Sequence, residues 1–178
     1  MNGAVSIKNK EGKTYPVSMQ GAGRVQAFKS ATAPVLAMPA SISVGETNLL
    51  NAKMFRRTIE LKNLSDKEVV LTTASTSSEG VEVKLPEMVT LPAGKSTKVK
   101  VEFVFKATTN LSAYEEREAV VSFTDNGIEL VRIPALAVVR RISKIETGKL
   151  AIHASSMDDA EGAAADVELK NKSGNRGC

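Results

Sequence analysis

The sequence predicts a mainly β chain, in which a seven-stranded β-sandwich follows a short helical segment and precedes the start of a second β domain. Three observations predict this architecture. Short apolar runs are separated by Gly, Asn, Ser and Pro, several runs alternate strictly between apolar and polar residues, and 42% of the residues are hydrophobic although only 4% are aromatic. The core is therefore expected to consist mainly of Val, Leu, Ile and Ala.

The N-terminal stretch, 1–33, does not follow the β pattern. It contains a polar turn at 9–13, a Gly-Ala-Gly step at 21–23 and a run at 25–31 whose spacing predicts two helical turns. Val25 and Phe28 share one face of that run, and so short a helix needs a docking surface to be stable in water. No cover for this face is evident in the chain, so we expect it to pack on a part of a larger protein.

Seven strands are predicted in the central stretch. The alternation is clearest at 98–103, where Val99, Val101 and Phe103 are expected to face the core and the charged residues to face solvent. The same pattern places Ile59 and Leu61 inward. The predicted strands are 35–44, 54–63, 68–75, 81–85, 96–105, 117–124 and 128–138.

Turn residues separate these strands, and the pattern restarts near the C-terminal end. Turns are predicted at 63–67 and 92–95, and 125–127 is expected to close a hairpin between the last two strands. After Ile142 two further candidate strands occur, and 168–173 repeats 60–65 with five identities in six positions. This repeat predicts the start of a second domain of the same kind.

The stretch 15–27, with the sequence YPVSMQGAGRVQA, resembles the segment that closes the catalytic domain of subtilisin-like serine proteases. In that family a QGAG-V motif leads into the final helix, and 1–4 is similar to the end of an earlier helix of the same domain. The run 39–45 resembles the first strand of the immunoglobulin-like or fibronectin-III-like domain that follows the catalytic domain in many large bacterial subtilases. The motifs that continue this resemblance are 61–63, 91–94 and 133–136.

The resemblance implies that the chain has three parts, and it implies a function for the chain. It divides the chain into the tail of a subtilase catalytic domain (1–33), an immunoglobulin/fibronectin-III-like sandwich (34–141) and a truncated second β domain (142–178). The segment that carries the catalytic serine lies upstream in this family, which implies a non-catalytic accessory or spacer fragment of a secreted bacterial serine endopeptidase. Its expected partner is the catalytic domain of its own parent chain, with protein substrates or cell-envelope proteins as further candidates. The expected location is extracellular or in the cell envelope.

The residues themselves argue against catalysis and metal binding. His153 is the only imidazole, and no Gly-x-Ser-x-Gly elbow accompanies it, so a surface histidine is favoured over a catalytic base. Asp158, Asp159 and Glu161 lack the spacing of a calcium loop, which favours a solvated acidic loop. The glycines at 21–23 lack the context of a phosphate loop. We therefore predict no catalytic, cofactor-binding or metal residues and no cofactor.

Charge and hydropathy disfavour nucleic acid and membranes as partners. The net charge of +4 is mild, the basic residues are scattered among acidic ones, and aromatic side chains for base stacking are scarce. No apolar run approaches the roughly 20 residues that a membrane span requires. Arg56 and Arg57 lead into a predicted strand, where a charged edge that deters strand addition is favoured over a site for an acidic partner.

The remaining sequence features are uninformative or open. Cys178 is the only cysteine, so no disulfide forms within the chain. Asn63, Asn110 and Asn171 each begin an Asn-x-Ser sequon, which is close to the number expected by chance, and turn formation is favoured for them.

Two other functions stay open at this point. The first is an independent extracellular adhesion or protein-recognition module that uses the loops at 72–80 and 108–116. The second, a strand-donating chaperone-like sandwich, has less support because no pairing groove can be inferred from the sequence.

Overall fold

The computed structural model describes residues 2–108 and 114–141. The regular elements within them are α1 Val17–Gln20, α2 Ala27–Ala31, β1 Val35–Met38, β2 Ile42–Leu49, β3 Ala52–Asn63, β4 Val69–Ser77, β5 Val81–Lys84, β6 Met88–Leu91, β7 Ser96–Lys106, β8 Glu115–Asp125 and β9 Ile128–Arg141. None of the helices in this described part is long and apolar enough to cross a bilayer.

The strands form two sheets, which confirms the prediction of a mainly β, two-layered chain. One sheet has the order β1-β3-β7-β5 and the other β2-β9-β8-β4-β6. Neighbouring strands are antiparallel, except that β2 and β9 run parallel. The inward side chains of both sheets make one apolar core.

The described residues form nine strands, and the sequence predicted seven over the same part of the chain. The predicted strand 35–44 is divided in two, because Pro39 has no N–H to donate to a ladder and the chain changes sheets there. β6 was not predicted, since its four residues lie between Pro86 and Pro92 in a stretch that reads as a turn. It pairs with β4 in the register Val69↔Leu91.

The predicted inward residues lie in the core. Ile59, Leu61, Val101 and Phe103 are fully buried, and Val99 is nearly so. Burying a side chain of this size contributes about 1.5 to 3 kcal/mol, so the β3–β7 pair supplies a large share of the driving force.

The predicted turns are also present. Lys95 donates its N–H to the Pro92 carbonyl oxygen at 3.1 Å, with Gly94 at a φ of 65°. Asn126 and Gly127 both have positive φ in the hairpin that joins β8 to β9. Positive φ at both central residues is the geometry that an Asn-Gly hairpin turn provides.

The outer faces of the two sheets differ. The outer face of β1-β3-β7-β5 carries paired charges, including Arg56 with Glu102 at 2.7 Å and Lys106 with Glu82 at 2.7 Å. On the other sheet, Val120 of β8 and Pro134 of β9 occupy outward positions and yet are buried. They are covered by the residues that precede β1, and this cover is the basis of the candidate site.

Candidate functional site: the N-terminal segment on the sandwich

Residues 2–33, here called the N-terminal segment, fold back on themselves before the sandwich begins. Isolated β-bridges join Val5 to Arg24 and Lys8 to Thr14. The turn between the two arms is made by Asn9, whose Oδ1 accepts hydrogen bonds from the backbone N–H groups of Glu11 at 3.0 Å and Lys13 at 2.9 Å. Such an Asn-centred turn satisfies backbone donors locally.

Each residue of the QGAG motif has a structural role in this segment. The Gln20 Oε1 accepts the Ile7 N–H at 2.7 Å, and its Nε2 donates to the Tyr15 carbonyl oxygen, so Gln20 ties the two arms together. Ala22 is buried, and Gly21 ends α1 at a positive φ. A Cβ at Gly23 would lie 2.3 Å from the Val5 carbonyl oxygen, so only glycine fits.

One side of the segment, the docked face, lies against the sandwich through Asn2 and Val17. Ala4, Val17 and Ala22 are buried. The Asn2 carbonyl oxygen accepts the N–H of Arg132 in β9 at 3.0 Å, and its Oδ1 accepts the N–H of Ala37 in β1 at 3.1 Å. Asn2 therefore bridges the two sheets where the chain crosses between them.

A second contact ties α1 to β8. The Val17 N–H, one of the donors that a helix start leaves without an internal partner, donates to Oε2 of Glu118. The backbone of Glu118 is held separately, because its N–H bonds the Ser78 Oγ at 3.0 Å and its carbonyl oxygen accepts the Ser78 N–H at 2.9 Å. Sequence reasoning missed Asn2 and Glu118, and no local pattern marks either residue.

Three apolar side chains of the segment, here called the open face, are exposed to solvent: Met19, Val25 and Phe28. These side chains are 72%, 74% and 82% exposed, and α2 has no buried residue. Val25 and Phe28, which the sequence placed on one apolar helix face, are thus exposed to solvent. Apolar side chains of this size are seldom left so exposed together on a short segment.

The segment also carries an excess of basic residues. Five basic residues stand against one acidic residue, Glu11, and the five are Lys8, Lys10, Lys13, Arg24 and Lys29. None of the five makes an ion pair within residues 2–108 and 114–141. A surface that covers the open face would therefore be stabilised by acidic groups at its rim.

The other residues that the sequence singled out are spread over the fold. Gly21 to Gly23 form the tight turn that was predicted, at the start of the run that enters α2. Arg56 faces solvent, whereas Arg57 is half-buried with its guanidinium 6.0 Å from the ring centre of Phe55. Both lie on the part of β3 that β1 does not pair, since β1 pairs only with 60–63.

Asn63 forms a turn, as predicted, and is fully buried. Its Nδ2 donates to the carbonyl oxygens of Lys67 at 2.7 Å and Leu91 at 3.0 Å, and its Oδ1 accepts from Ser65. The amide nitrogen to which a glycan would be attached is thus enclosed by the fold. The other two sequon asparagines, His153, the acidic residues at 158–161 and Cys178 lie outside the described residues.

The described residues give little support to the hypothesis of a catalytic or metal-binding site. Among them no group of three or more His, Cys, Asp and Glu side chains is placed to hold a metal ion. A cleft of about 400 Å³ lies between the segment and the sandwich, and its polar lining residues include Ser6, Tyr15, Thr76, Glu118 and Arg132. It contains one carboxylate and no imidazole or thiol, and its Glu118 already accepts the Val17 N–H.

Comparison with known proteins gives one relative from sequence. The chain is 27% identical over 143 residues to the minor extracellular protease Vpr of Bacillus subtilis (strain 168). The match covers 79% of this chain and 17% of that protein, so the chain spans about a sixth of the relative's length. No protein-family model matches the chain.

Several solved structures share parts of the fold at low identity. They include WR4, a Caenorhabditis elegans MSP family member (TM-score 0.38, 12% identity, 60% of this chain and 98% of that chain), and the ASH/PapD-like domain 7 of human CEP192 (0.41, 12%, 64% and 88%). The secreted serine protease VesC of Vibrio cholerae aligns with a TM-score of 0.40 at 8% identity, over 72% of this chain and 26% of that chain. These alignments are too loose to carry an argument about function.

Proposed function

We propose that this chain is a non-catalytic accessory part of a secreted subtilisin-like serine endopeptidase, with an immunoglobulin/fibronectin-III-like sandwich as its main domain. The observation that carries the proposal is the QGAG segment. It belongs to the folded N-terminal segment, which joins β1 through residues 32–34 and carries exposed apolar side chains that nothing in the described chain covers. The match to an extracellular protease supports the same conclusion.

In this proposal the catalytic part of the parent chain covers the open face. Met19, Val25 and Phe28 would be buried there, and the basic residues around them would meet an acidic rim. The work of the chain is then mechanical: it stabilises and orients the protease, in the extracellular space or the cell envelope.

The test is a comparison of the 178-residue chain with its full-length parent in a casein hydrolysis assay. The parent should hydrolyse casein in a manner that a serine-directed inhibitor abolishes, and the chain alone should release no peptide. Hydrolysis by the chain alone that the same inhibitor stops would refute the accessory role. A parent without inhibitor-sensitive hydrolysis would refute the assignment to a protease.

A further inference from the structure

We propose that the N-terminal segment fixes the orientation of the sandwich on the parent's catalytic part, with the sheet β2-β9-β8-β4-β6 turned toward that part and the other sheet turned to solvent. This inference rests on the proposed function. It adds that the N-terminal segment lies between the sandwich and the catalytic part, packs on both, and so holds the sandwich rigidly.

The first support is that the segment is attached to the sandwich at two separate places. Asn2 bonds the backbone of β9 and β1, and the Val17 N–H bonds Glu118 on β8. One contact would leave the segment free to rotate about it, whereas two contacts on different strands prevent that rotation. The buried side chain of Val17 contributes apolar burial to the same contact, because α1 packs on β8 and β9.

The second support is the short connection between α2 and β1. Only residues 32–34 separate them, and these are bonded at both ends. The Thr32 Oγ1 donates to the Phe28 carbonyl oxygen at 2.9 Å, and the Pro34 carbonyl oxygen accepts the Leu64 N–H at 2.7 Å. A flexible tether needs many residues without hydrogen bonds, and this connection of three residues is too short to be one.

The third support is the difference between the two outer faces. The face of β1-β3-β7-β5 is rich in charged side chains, some of them paired as Lys106 is with Glu82, which is typical of a surface in water. The face of β8 and β9 instead buries Val120 and Pro134 under the segment. The side of the sandwich that already has a protein cover is therefore the side that faces the rest of the parent.

Glu118 is the positioning residue that this arrangement makes testable. Its side chain accepts the Val17 N–H, while its backbone bonds to Ser78 do not depend on the side chain. Glu118→Ala should therefore release α1 and leave β8 in place. Glu118→Gln keeps an acceptor oxygen and should retain the contact. Glu116→Ala, on the same outward side of β8, is the matched control.

The first experiment measures hydrogen exchange of the 178-residue chain. Glu118→Ala should speed exchange at the Val17 amide by about ten-fold, the effect of losing one hydrogen bond to a charged acceptor, with exchange in β7 unchanged. Glu118→Gln and Glu116→Ala should stay within about three-fold of the wild type. Unchanged exchange in Glu118→Ala, or equal acceleration in Glu118→Gln, would overturn the role of Glu118.

The second experiment measures spin-label distances in the full-length parent, with Cys178 replaced and labels at position 98 of β7 and on the catalytic part. A narrow distance distribution is expected in the wild type, and Glu118→Ala should broaden it. A broad wild-type distribution would overturn the fixed orientation even if the parent proves to be a protease. A parent that lacks protease activity refutes the proposed function, and this outcome is separate because the hydrogen-exchange result does not depend on it.

Discussion

At the scale of single residues, Asn63 shows what a sequence pattern can predict and what it cannot. Its position after an alternating strand predicts a turn, and the turn is present. Its burial and its bond to Leu91 could not be predicted, because Leu91 belongs to β6, a strand 28 residues away that the sequence did not reveal. One side chain thus joins the end of β3, the following turn and the end of β6.

Replacing Asn63 should destabilise the sandwich strongly. Asn63→Ala removes the side-chain donor to the buried Leu91 carbonyl oxygen and one of the two side-chain donors to the Lys67 carbonyl oxygen, which should lower the free energy of unfolding by about 2 to 3 kcal/mol. Asn63→Asp should cost at least as much, because it removes the same donors and adds a buried charge. Urea unfolding measures both, with Ser65→Ala, expected to cost about 1 kcal/mol, for comparison. A loss below that of Ser65→Ala would contradict the assigned role.

At the same scale, Glu82 is expected to make the stability of the fold depend on pH. The hydrogen bond and the charge of Lys106, together with the charge of Lys84, lower the pKa of the Glu82 carboxyl group below its ordinary value. A pKa that is lower in the folded state adds stability at neutral pH, and this contribution is lost as the pH falls through the folded-state value. Glu82→Gln should therefore lose less stability than the wild type between neutral and acid pH.

The measurement is the melting temperature of both proteins from pH 7 to pH 3. The effect should be small because Glu82 is exposed to solvent. Glu60→Gln is the control, since Glu60 lies on the same outer face and makes no ion pair among the described residues. Equal acid sensitivity in the wild type and Glu82→Gln would show that the Lys106 contact does not contribute.

At the scale of elements, periodicity predicted the long paired strands and missed the places where strands break. β3 and β7 alternate over their lengths, so their inward faces were predicted correctly. The division at Pro39 and the short strand β6 depend on which sheet each piece joins. That choice is made by distant strands, β9 and β4, and leaves no local pattern.

The turns between strands depend on glycine for different reasons. Gly80 and Gly94 both have positive φ, but a Cβ at Gly80 would lie 2.9 Å from the Lys106 carbonyl oxygen and 2.9 Å from a guanidinium nitrogen of Arg117. Arg117 is only 2% exposed and bonds Thr108 at 2.9 Å, so it has little room to move. Nothing lies within 4 Å of the corresponding point at Gly94.

The two glycines therefore form a matched pair. Gly94→Ala should cost about 1 kcal/mol, the price of a left-handed conformation alone. Gly80→Ala should cost at least about 2 kcal/mol more, because backbone and a buried cation must shift. Urea unfolding of both variants measures the difference. Equal losses would mean that neither the Lys106 carbonyl oxygen nor the Arg117 side chain restricts a Cβ at position 80.

At the scale of the whole molecule, the sandwich completes its own core while the N-terminal segment completes only one of its two faces. The sequence predicted the exposed apolar face from the spacing of Val25 and Phe28. It did not predict that the opposite face is docked on β8 and β9, because Glu118 and Asn2 reach the contact through the tertiary fold. A helix pattern shows which residues share a face, and only the fold shows which face is covered.

A substitution on the open face should therefore have different effects in the chain and in its parent. Phe28→Asp in the 178-residue chain should change the free energy of unfolding by less than about 0.5 kcal/mol, since the ring is 82% exposed. In the full-length parent, where the ring is proposed to be buried, the same change should lower stability by about 2 to 4 kcal/mol. Ile128→Asp is the matched control, because Ile128 is 65% exposed and lies on the β8–β9 hairpin rather than in the N-terminal segment. It should have little effect in either protein. If Phe28→Asp is as harmless in the parent as Ile128→Asp, the open face has no partner there, and residues 2–33 serve only to cover the sandwich.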